Sequence, residues 1–134
     1  MKALFDSIFV EFESGTSTST LRTLVSTRGM YHGRAPQGTV FPFVEVGFFS
    51  SDNEFTNTST FRQPIVTFNA WDDARSPVAV NNIGDQVVAA YRDNLLSVTG
   101  FTTVRAEVVS ESELEQPDQN GWNYQVEVQY DLGS

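Results

Sequence analysis

Hydrophobic and polar residues alternate without a break near the end of the chain. Apolar side chains stand at every second position from 122 to 130, namely Trp122, Tyr124, Val126, Val128 and Tyr130. Residues 101–109 alternate in the same way, and a period of two predicts a half-buried β-strand in each segment. Between them, residues 118–121 read Asp-Gln-Asn-Gly, a turn-forming sequence. The pattern therefore predicts an antiparallel hairpin.

A second pair of strands is predicted in the middle of the chain. Residues 40–49 are rich in Val and Phe, and residues 65–71 read Ile-Val-Thr-Phe-Asn-Ala-Trp. Both compositions are typical of strands, and the polar residues 51–60 between them predict a long hairpin tip. Residues 31–38 contain two glycines and a proline. They predict an ordered connector that is neither a helix nor a central strand.

The clearest helical period lies in residues 76–100, whose spaced apolar residues are Val80, Ile83, Val87, Tyr91 and Leu95. Ser76 and Pro77 supply a capping hydroxyl and a first-turn proline, and Gly100 is a stop signal. Asp72 and Asp73 come just before this helix, where carboxylates favour the positive end of the helix dipole. We therefore predict a long helix that runs through Leu95.

Two shorter helices are predicted before the first strand. Leu4, Ile8 and Phe12 recur at spacings of four, which indicates an amphipathic helix over residues 3–13. Residues 15–20 read Gly-Thr-Ser-Thr-Ser-Thr, and their hydroxyls can cap a helix that passes through Leu21 and ends by Gly29.

This order of elements predicts an α+β fold. Two helices, a hairpin, a long helix and a second hairpin are expected to form a two-layer sandwich, with helices packed on one face of a mainly antiparallel four-stranded sheet. The length of 134 residues predicts a single domain, 1–134.

The composition excludes several kinds of chemistry. The chain has no cysteine, and His32 and Lys2 are its sole histidine and lysine. Thiol nucleophiles, thiolate or multi-histidine metal sites and phosphate loops are therefore excluded within one chain. His32 has no GxSxG motif to serve, and neighbouring acids such as Glu11 with Glu13 are typical of a helix surface. We predict no enzyme activity and no cofactor.

The charge is strongly negative and unevenly distributed. The net charge is −9, and every charged residue after Arg105 is acidic: Glu107, Glu111, Glu113, Glu115, Asp118, Glu127 and Asp131. Such a balance argues against tight binding to phosphate backbones. It leaves three interpretations of the acidic segment, which are a solvated surface, a surface that repels nucleic acid and a contact for a basic partner.

The aromatic residues offer two interpretations. The chain contains 11 phenylalanines, which could line a ligand pocket in the sheet or pack in the core. Phe48, Phe49 and Phe55 are unusual because they lie beside the polar hairpin tip, where a one-sided sandwich cannot bury both faces of a strand. A contact with another protein subunit would cover them.

Nothing in the sequence predicts a membrane segment. Asp6 interrupts the apolar N-terminal residues before a signal-peptide core could form, and no run of about 18 apolar residues occurs.

The middle of the chain resembles tail-completion (tail-terminator) proteins of tailed phages. Residues 31–44 read Tyr-His-Gly-Arg-Ala-Pro-Gln-Gly-Thr-Val-Phe-Pro-Phe-Val, similar to that family's connector leading into a Pro-aromatic-Val strand. Residues 65–72 resemble its second strand, which ends in Trp, and the long helix follows. The resemblance extends over roughly residues 3–131, except for residues 110–121.

The resemblance implies a non-enzymatic virion protein in the tail neck, made in the host cytoplasm. Its subunits would form a ring, commonly a hexamer, at the head-proximal end of the tail tube, where it ends tube growth and joins tail to head. The implied partners are further copies of the chain, the tail-tube protein and a head-completion or connector protein. Genome DNA would pass through without tight binding.

Two sets of residues are the candidates for these roles. Phe48, Phe49 and Phe55 are expected at a subunit interface. Glu111, Glu113, Glu115 and Asp118, placed in the connection between the last two strands, are expected near passing DNA. The alternative functions are a head-side connector, a tail-tube subunit, or a small-ligand pocket protein with a Phe-rich sheet.

Overall fold

The computed structural model describes residues 2–25, 29–55, 60–93, 96–116 and 121–133, with the backbone alone at 48–55, 60–62, 103 and 116. The elements in chain order are α1 (Lys2–Ser14), α2 (Ser19–Leu24), β1 (Met30–His32), β2 (Phe43–Phe55), β3 (Thr60–Asp72), α3 (Val78–Tyr91), β4 (Thr103–Gln116) and β5 (Gly121–Gly133). No helix among these residues is long and apolar enough to cross a membrane.

The strands form one sheet in the order β1-β2-β3-β5-β4. All neighbours are antiparallel except β1, which runs parallel to β2. The predicted α+β class is confirmed, whereas the prediction of four strands is wrong because β1 adds a fifth. β1 begins one residue before the segment predicted as a connector and includes its first two residues. Its neighbouring glycines extend the pairing, since Val44 N donates to Gly29 O and Gly33 N donates to Val46 O, both at 2.7 Å.

The helices cover one face of this sheet, which we call the inner face. Its residues on β2, β3 and β5 are buried with those of α1 and α3 in one hydrophobic cluster, for example Val44, Phe68, Val126, Ile8 and Ile83. The residues that alternate with them form the outer face, which is rich in amides and carboxylates. The helices therefore lie on one side of the sheet, as the sequence predicted.

Two buried tyrosines join the helices to the sheet. The Tyr91 ring stacks on Phe68 with centroids 4.9 Å apart, and its hydroxyl donates to Ile8 O at 2.9 Å. The Tyr130 hydroxyl donates to Tyr91 O at 3.0 Å. Burial raises the pKa of both phenols, so both stay protonated donors. These bonds connect α1, α3 and β5 through groups that would otherwise be unsatisfied in the core.

The hydroxyl-rich loop before α2 has a different use from the predicted one. Thr18 is the N-cap of α2 but makes no side-chain capping bond there. Its hydroxyl donates to Glu11 O at 2.6 Å, and Arg22 Nη1 donates to Phe12 O at the same distance. Both carbonyls belong to the last turn of α1, where helix geometry leaves acceptors unpaired. The loop therefore caps the end of α1 instead of the start of α2.

α3 ends earlier than the periodicity predicted. The helix stops at Tyr91, because the amides of Arg92 and Asp93 both donate to Val88 O, at 2.9 and 3.2 Å. The predicted end at Leu95 lies outside the described residues, and Gly100, with φ of +91°, forms a later turn. Leu96 and Val98 are nevertheless buried in the core cluster. Because they are buried, the sequence stays apolar after the helix has ended.

Both hairpins are longer than predicted. β2 continues to Phe55 and β3 begins at Thr60, so most of the predicted polar tip 50–60 is paired strand. β4 continues to Gln116, so Glu111, Glu113 and Glu115 lie on a strand and not in the predicted connection. Backbone hydrogen bonds hold such extensions without apolar side chains, and for this reason the hydrophobic pattern did not predict them.

A close contact joins the middle of α3 to β5. A Cβ added at Gly84 would overlap the Tyr124 ring, so only glycine lets the two elements approach this closely. The Tyr124 hydroxyl donates to Glu111 Oε1 at 3.0 Å, which fixes the ring. The ring therefore cannot move away from a larger residue without losing this bond.

We expect Gly84→Ala to destabilise the protein. Overpacking costs about 1–3 kcal/mol, which outweighs the gain of about 1 kcal/mol from the better helix former. Gly47→Ala is the matched control, because nothing lies within 4 Å of an added Cβ there. Urea unfolding measures both, and in a Tyr124→Ser background Gly84→Ala should become stabilising. Equal stabilities of Gly84→Ala and Gly47→Ala would show that the contact does not constrain the helix.

Candidate functional surfaces

The histidine is used for packing. The His32 ring stacks on Phe5 with centroids 4.1 Å apart and lies 5.9 Å from that of Phe9, both on α1. Within the described ranges, no three His, Asp or Glu side chains are grouped so that they could hold a metal ion. The neighbouring acids at the end of β3 are also structural, since Asp73 N donates to Asp72 Oδ1 at 2.9 Å. Burial raises the pKa of Asp72.

Three of the four channel candidates form one line on β4, which we call the acidic row: Glu111, Glu113 and Glu115. They pair with Val126, Tyr124 and Trp122, whose side chains belong to the inner face. All three glutamates are exposed. The fourth candidate, Asp118, lies outside the described residues. The structure thus places the row beside α3, on the side of the sheet that carries the helices.

A β-bulge sets the side on which the row lies. The register between β4 and β5 shifts between Val108 and Ser110. Before the shift the even-numbered Val104, Ala106 and Val108 pair with inner-face residues, and after it the odd-numbered glutamates do. One extra residue, Val109, therefore moves the row from the outer face to the inner one. In the sequence, the two consecutive valines Val108 and Val109 break the alternation, and this break was the signal for the bulge.

The acidic row is connected to the helix layer by hydrogen bonds. Tyr124 donates to Glu111 as described above, and Asn81 Nδ2 on α3 donates to Glu113 Oε1. Burial, followed by the hydrogen bond and the negative charge of Glu111, raises the pKa of Tyr124 to about 12. The row is thus an ordered anionic surface whose oxygens accept hydrogen bonds.

The three interface candidates all lie on β2. Phe48 pairs with Val66, Phe55 pairs with Thr60, and Phe49 stands at the register shift between Phe48 and Ser50. Their side chains lie outside the described atoms. β1 pairs with β2 only at residues 44–46. Along residues 47–55 β2 therefore forms the margin of the described sheet, and the candidates fall on a sheet edge.

The outer face has a network of polar side chains that the sequence did not predict. Glu45 accepts hydrogen bonds from Trp71 Nε1 at 2.9 Å and from Ala35 N at 2.6 Å. The buried Asn123 donates to Ala70 O at 3.1 Å, and Gln63 donates to Asp131 Oδ1 at the same distance. These bonds join residues far apart in the chain. Only the alternation in β5, which puts amides and acids on one face, was visible beforehand.

Among the phenylalanines whose side chains the structure describes, Phe68 lies apart from Phe41 and Phe43. Phe68 is buried in the core against Tyr91, while the rings of Phe41 and Phe43 pack on each other with centroids 5.1 Å apart at the surface. A cleft does lie between α1 and residues 96–99, lined by side chains that include Asp6, Ser7 and Val10. This cleft is open to solvent, and no phenylalanine lines it.

Comparison with known proteins points to one family. The sequence model of the family described as "Tail completion protein gp17" matches residues 16–132. A chain in the solved structure "Virion of native gene transfer agent (GTA) particle" has the same fold, with a TM-score of 0.85 and 13% sequence identity over 99% of this chain and 96% of that chain. No curated protein matches the sequence. At this identity the structural likeness shows the fold alone.

Proposed function

The chain belongs to the tail completion protein gp17 family, whose sequence model matches residues 16–132, and on this basis we propose that it is the ring protein at the head-proximal end of a phage-type tail. The ring, a hexamer, ends growth of the tail tube and joins the tail to the head. The family match is the observation that carries the proposal. The structural role in the tail follows from the family, and the ring, its position and its partners are proposed.

Two features of the fold support this role: its similarity to a solved chain and the surfaces that it exposes. The similar solved chain comes from an assembled virion particle and is matched over nearly its whole length. The described residues of this chain offer long strand edges and an ordered acidic row, while its histidine is packed against α1. Strand edges and charged surfaces suit assembly with other proteins. We therefore propose a non-enzymatic protein that contacts further copies of itself, the tube protein and a head-completion or connector protein.

We expect the purified protein to form hexameric rings, visible by negative-stain microscopy and as a hexamer mass in mass photometry. Particles made without it should have tails of irregular length and heads without tails, because nothing ends the tube or joins it. A stable monomer that copurifies with a small ligand would contradict the proposal. Rings that bind only isolated heads, or that polymerise into tubes, would instead favour the head-side connector or the tube subunit.

We propose that the β2–β3 hairpin reaches a neighbouring subunit through Phe48, Phe49 and Phe55. The paired strands continue from Ser50 and Ile65 to Phe55 and Thr60, beyond the buried pair of Val46 and Phe68. An extension of this length costs conformational entropy, which a contact with another subunit would offset. Aromatic residues are also enriched at the centres of protein interfaces.

A shortened hairpin should yield folded monomers. Residues 52–63 are replaced by Asn-Gly, which joins the directly paired Ser51 and Pro64 by a two-residue turn. Analytical ultracentrifugation should then show monomers with an unchanged circular dichroism signal per residue in the helical range. Asp52→Asn in the full-length hairpin is the control and should form rings. If the shortened protein forms the same rings, the hairpin does not belong to the interface.

We propose that the acidic row and Asp118 face the DNA channel. A row of carboxylates on a rigid strand repels a duplex that carries one charge per about 1.7 Å of its axis. The bonds from Tyr124 and Asn81 hold two of the carboxylates in place at the surface. The duplex would then pass without adhering to the ring.

Replacing Glu111, Glu113, Glu115 and Asp118 by Gln or Asn should slow DNA exit and increase DNA adhesion to purified rings. The amide oxygens can still accept hydrogen bonds, so we expect stability within roughly 0.5 kcal/mol of the parent. The control removes three exposed acids away from the row: Asp6, Glu13 and Asp93. Filter binding of DNA and genome-delivery assays compare the two. Equal adhesion in both variants would assign the row to solubility alone.

A further inference from the structure

The charges of the chain are separated along its sequence, and the fold places Arg34 near one edge of the sheet and four of the later acids on the opposite edge strand. Residues 14–44 contain no acid and three arginines, Arg22, Arg28 and Arg34, whereas residues 106–134 contain seven acids and no base. β1 lies in the first segment, and β4 lies in the second except for its first three residues, which include Arg105. These two strands are the first and last of the sheet order.

The first edge presents aromatic and aliphatic side chains beside a cation. We call it the connector edge and define it by Tyr31, Arg34, Val40, Phe41 and Phe43. The connector is fixed to β2 by the bonds of Gly33 and Ala35 described above. The Phe43 ring packs against Phe41 and, edge-on at 6.3 Å, against Tyr31. Val40 is 70% exposed, Phe41 is 36% exposed, and Arg34 is exposed.

The second edge presents aliphatic side chains beside acids. Among the described strands, β4 pairs with β5 alone, so one side of it is free for contacts. Val109 is 44% exposed and Leu114 is 49% exposed. Glu107 is exposed and pairs with Gln129, while Leu114 pairs with the outer-face Asn123. We call this the β4 edge and define it by Glu107, Val109 and Leu114.

The two edges hold most of the exposed large apolar residues of the molecule. Six such residues occur in the part of the chain that the structure describes, and four of them, Val40, Phe41, Val109 and Leu114, lie on these edges. Exposed apolar side chains that cluster mark contact surfaces more than scattered ones do. One edge combines them with positive charge and the other with negative charge, so the edges are complementary.

We propose that the connector edge of one subunit docks on the β4 edge of the next copy around the ring, with Arg34 paired to Glu107 of the neighbour and Phe41 packed on Val109. This rests on the ring of the proposed function and identifies its contact. Joining two different edges is a heterologous contact, which closes into a ring when the rotation between subunits permits it.

The charge distribution selects this arrangement over its alternatives. Two β4 edges facing each other would bring four glutamates of each copy, Glu107, Glu111, Glu113 and Glu115, against one basic residue, Arg105, which disfavours a symmetric dimer through β4. The glutamates also guard a long free strand edge against uncontrolled pairing. The same glutamates permit contact with a neighbouring subunit that presents Arg34 and an aromatic surface. The acidic row lies on the other side of β4, where this contact leaves it free for the channel.

A charge exchange tests the pairing. Arg34→Glu and Glu107→Arg should each raise the protein concentration needed for ring formation at least about tenfold, a size typical of a lost interface charge pair. The double variant should recover most of the loss, because the pair is restored with reversed polarity. Arg75→Glu and Glu13→Arg are controls at exposed positions outside both edges. Mass photometry over a dilution series measures the ring fraction.

The absence of cysteine in the chain permits a second test, which reports directly whether the two edges lie close together. Arg34→Cys with Glu107→Cys, treated with a short bismaleimide, should give covalent chains of subunits up to the hexamer. Arg34→Cys with Glu13→Cys is the control and should give no such series. The crosslinks form only if the two edges of different copies meet.

The outcomes separate this inference from the proposed function. If the parent protein forms no ring and particles assemble normally without it, the proposed function fails. If the parent forms rings, but the charge variants assemble like the parent and the cysteine pair does not crosslink, the edge contact is wrong and the ring stands. Single variants that weaken the ring without recovery in the double variant would overturn the Arg34–Glu107 pair.

Discussion

The antiparallel pairing of β3 with β5 is the contact on which the rest of the molecule depends. It joins residues 60–72 to residues 121–133 and so closes a long loop that contains α3 and β4. Each of these central strands carries a hairpin partner, β2 on one side and β4 on the other. Val66 with Val128 and Phe68 with Val126 supply the apolar pairs beneath the helices. Without this pairing the two hairpins would be separate and neither could bury its inner face.

The sequence predicted the parts of the fold that the helices cover. Because Val126, Val128 and Tyr130 alternate with polar residues, β5 was predicted over residues 122–130. The observed strand extends only a few residues further. Where no helix buries the strand side chains, backbone bonds hold the strands and the side chains are free to be polar. Glu111 and Ser51 therefore carry no hydrophobic signal even though both lie on strands. β1 was missed because three residues are too short to show a period.

The candidate surfaces were predicted by composition but not by position. The acids after Arg105 were visible in the sequence, yet the side of the sheet they occupy depends on the single bulge residue Val109. The polar network around Glu45 and Trp71 joins residues 26 positions apart, which no local pattern reveals. The sequence alone did not mark three residues as parts of a contact surface: Arg34, Phe41 and Leu114. The strand order is needed to show that they lie at opposite edges of the sheet. Each of these features depends on pairing between residues far apart in the chain. They were not predicted because the pattern of a single sequence shows only local periodicity.

The edges of the sheet explain why the chain is so unevenly charged. A sheet of this kind exposes two edges, and each would pair with any other strand if left apolar and flat. Acids on β4 and a bulge within it prevent this pairing, whereas the short β1 and its connector cover only part of β2. With opposite charges on the two edges, contact between two copies of the same edge is disfavoured, and contact between the connector edge and the β4 edge is favoured. In the contact proposed above, the separation of charge along the sequence lets subunits join in one direction only.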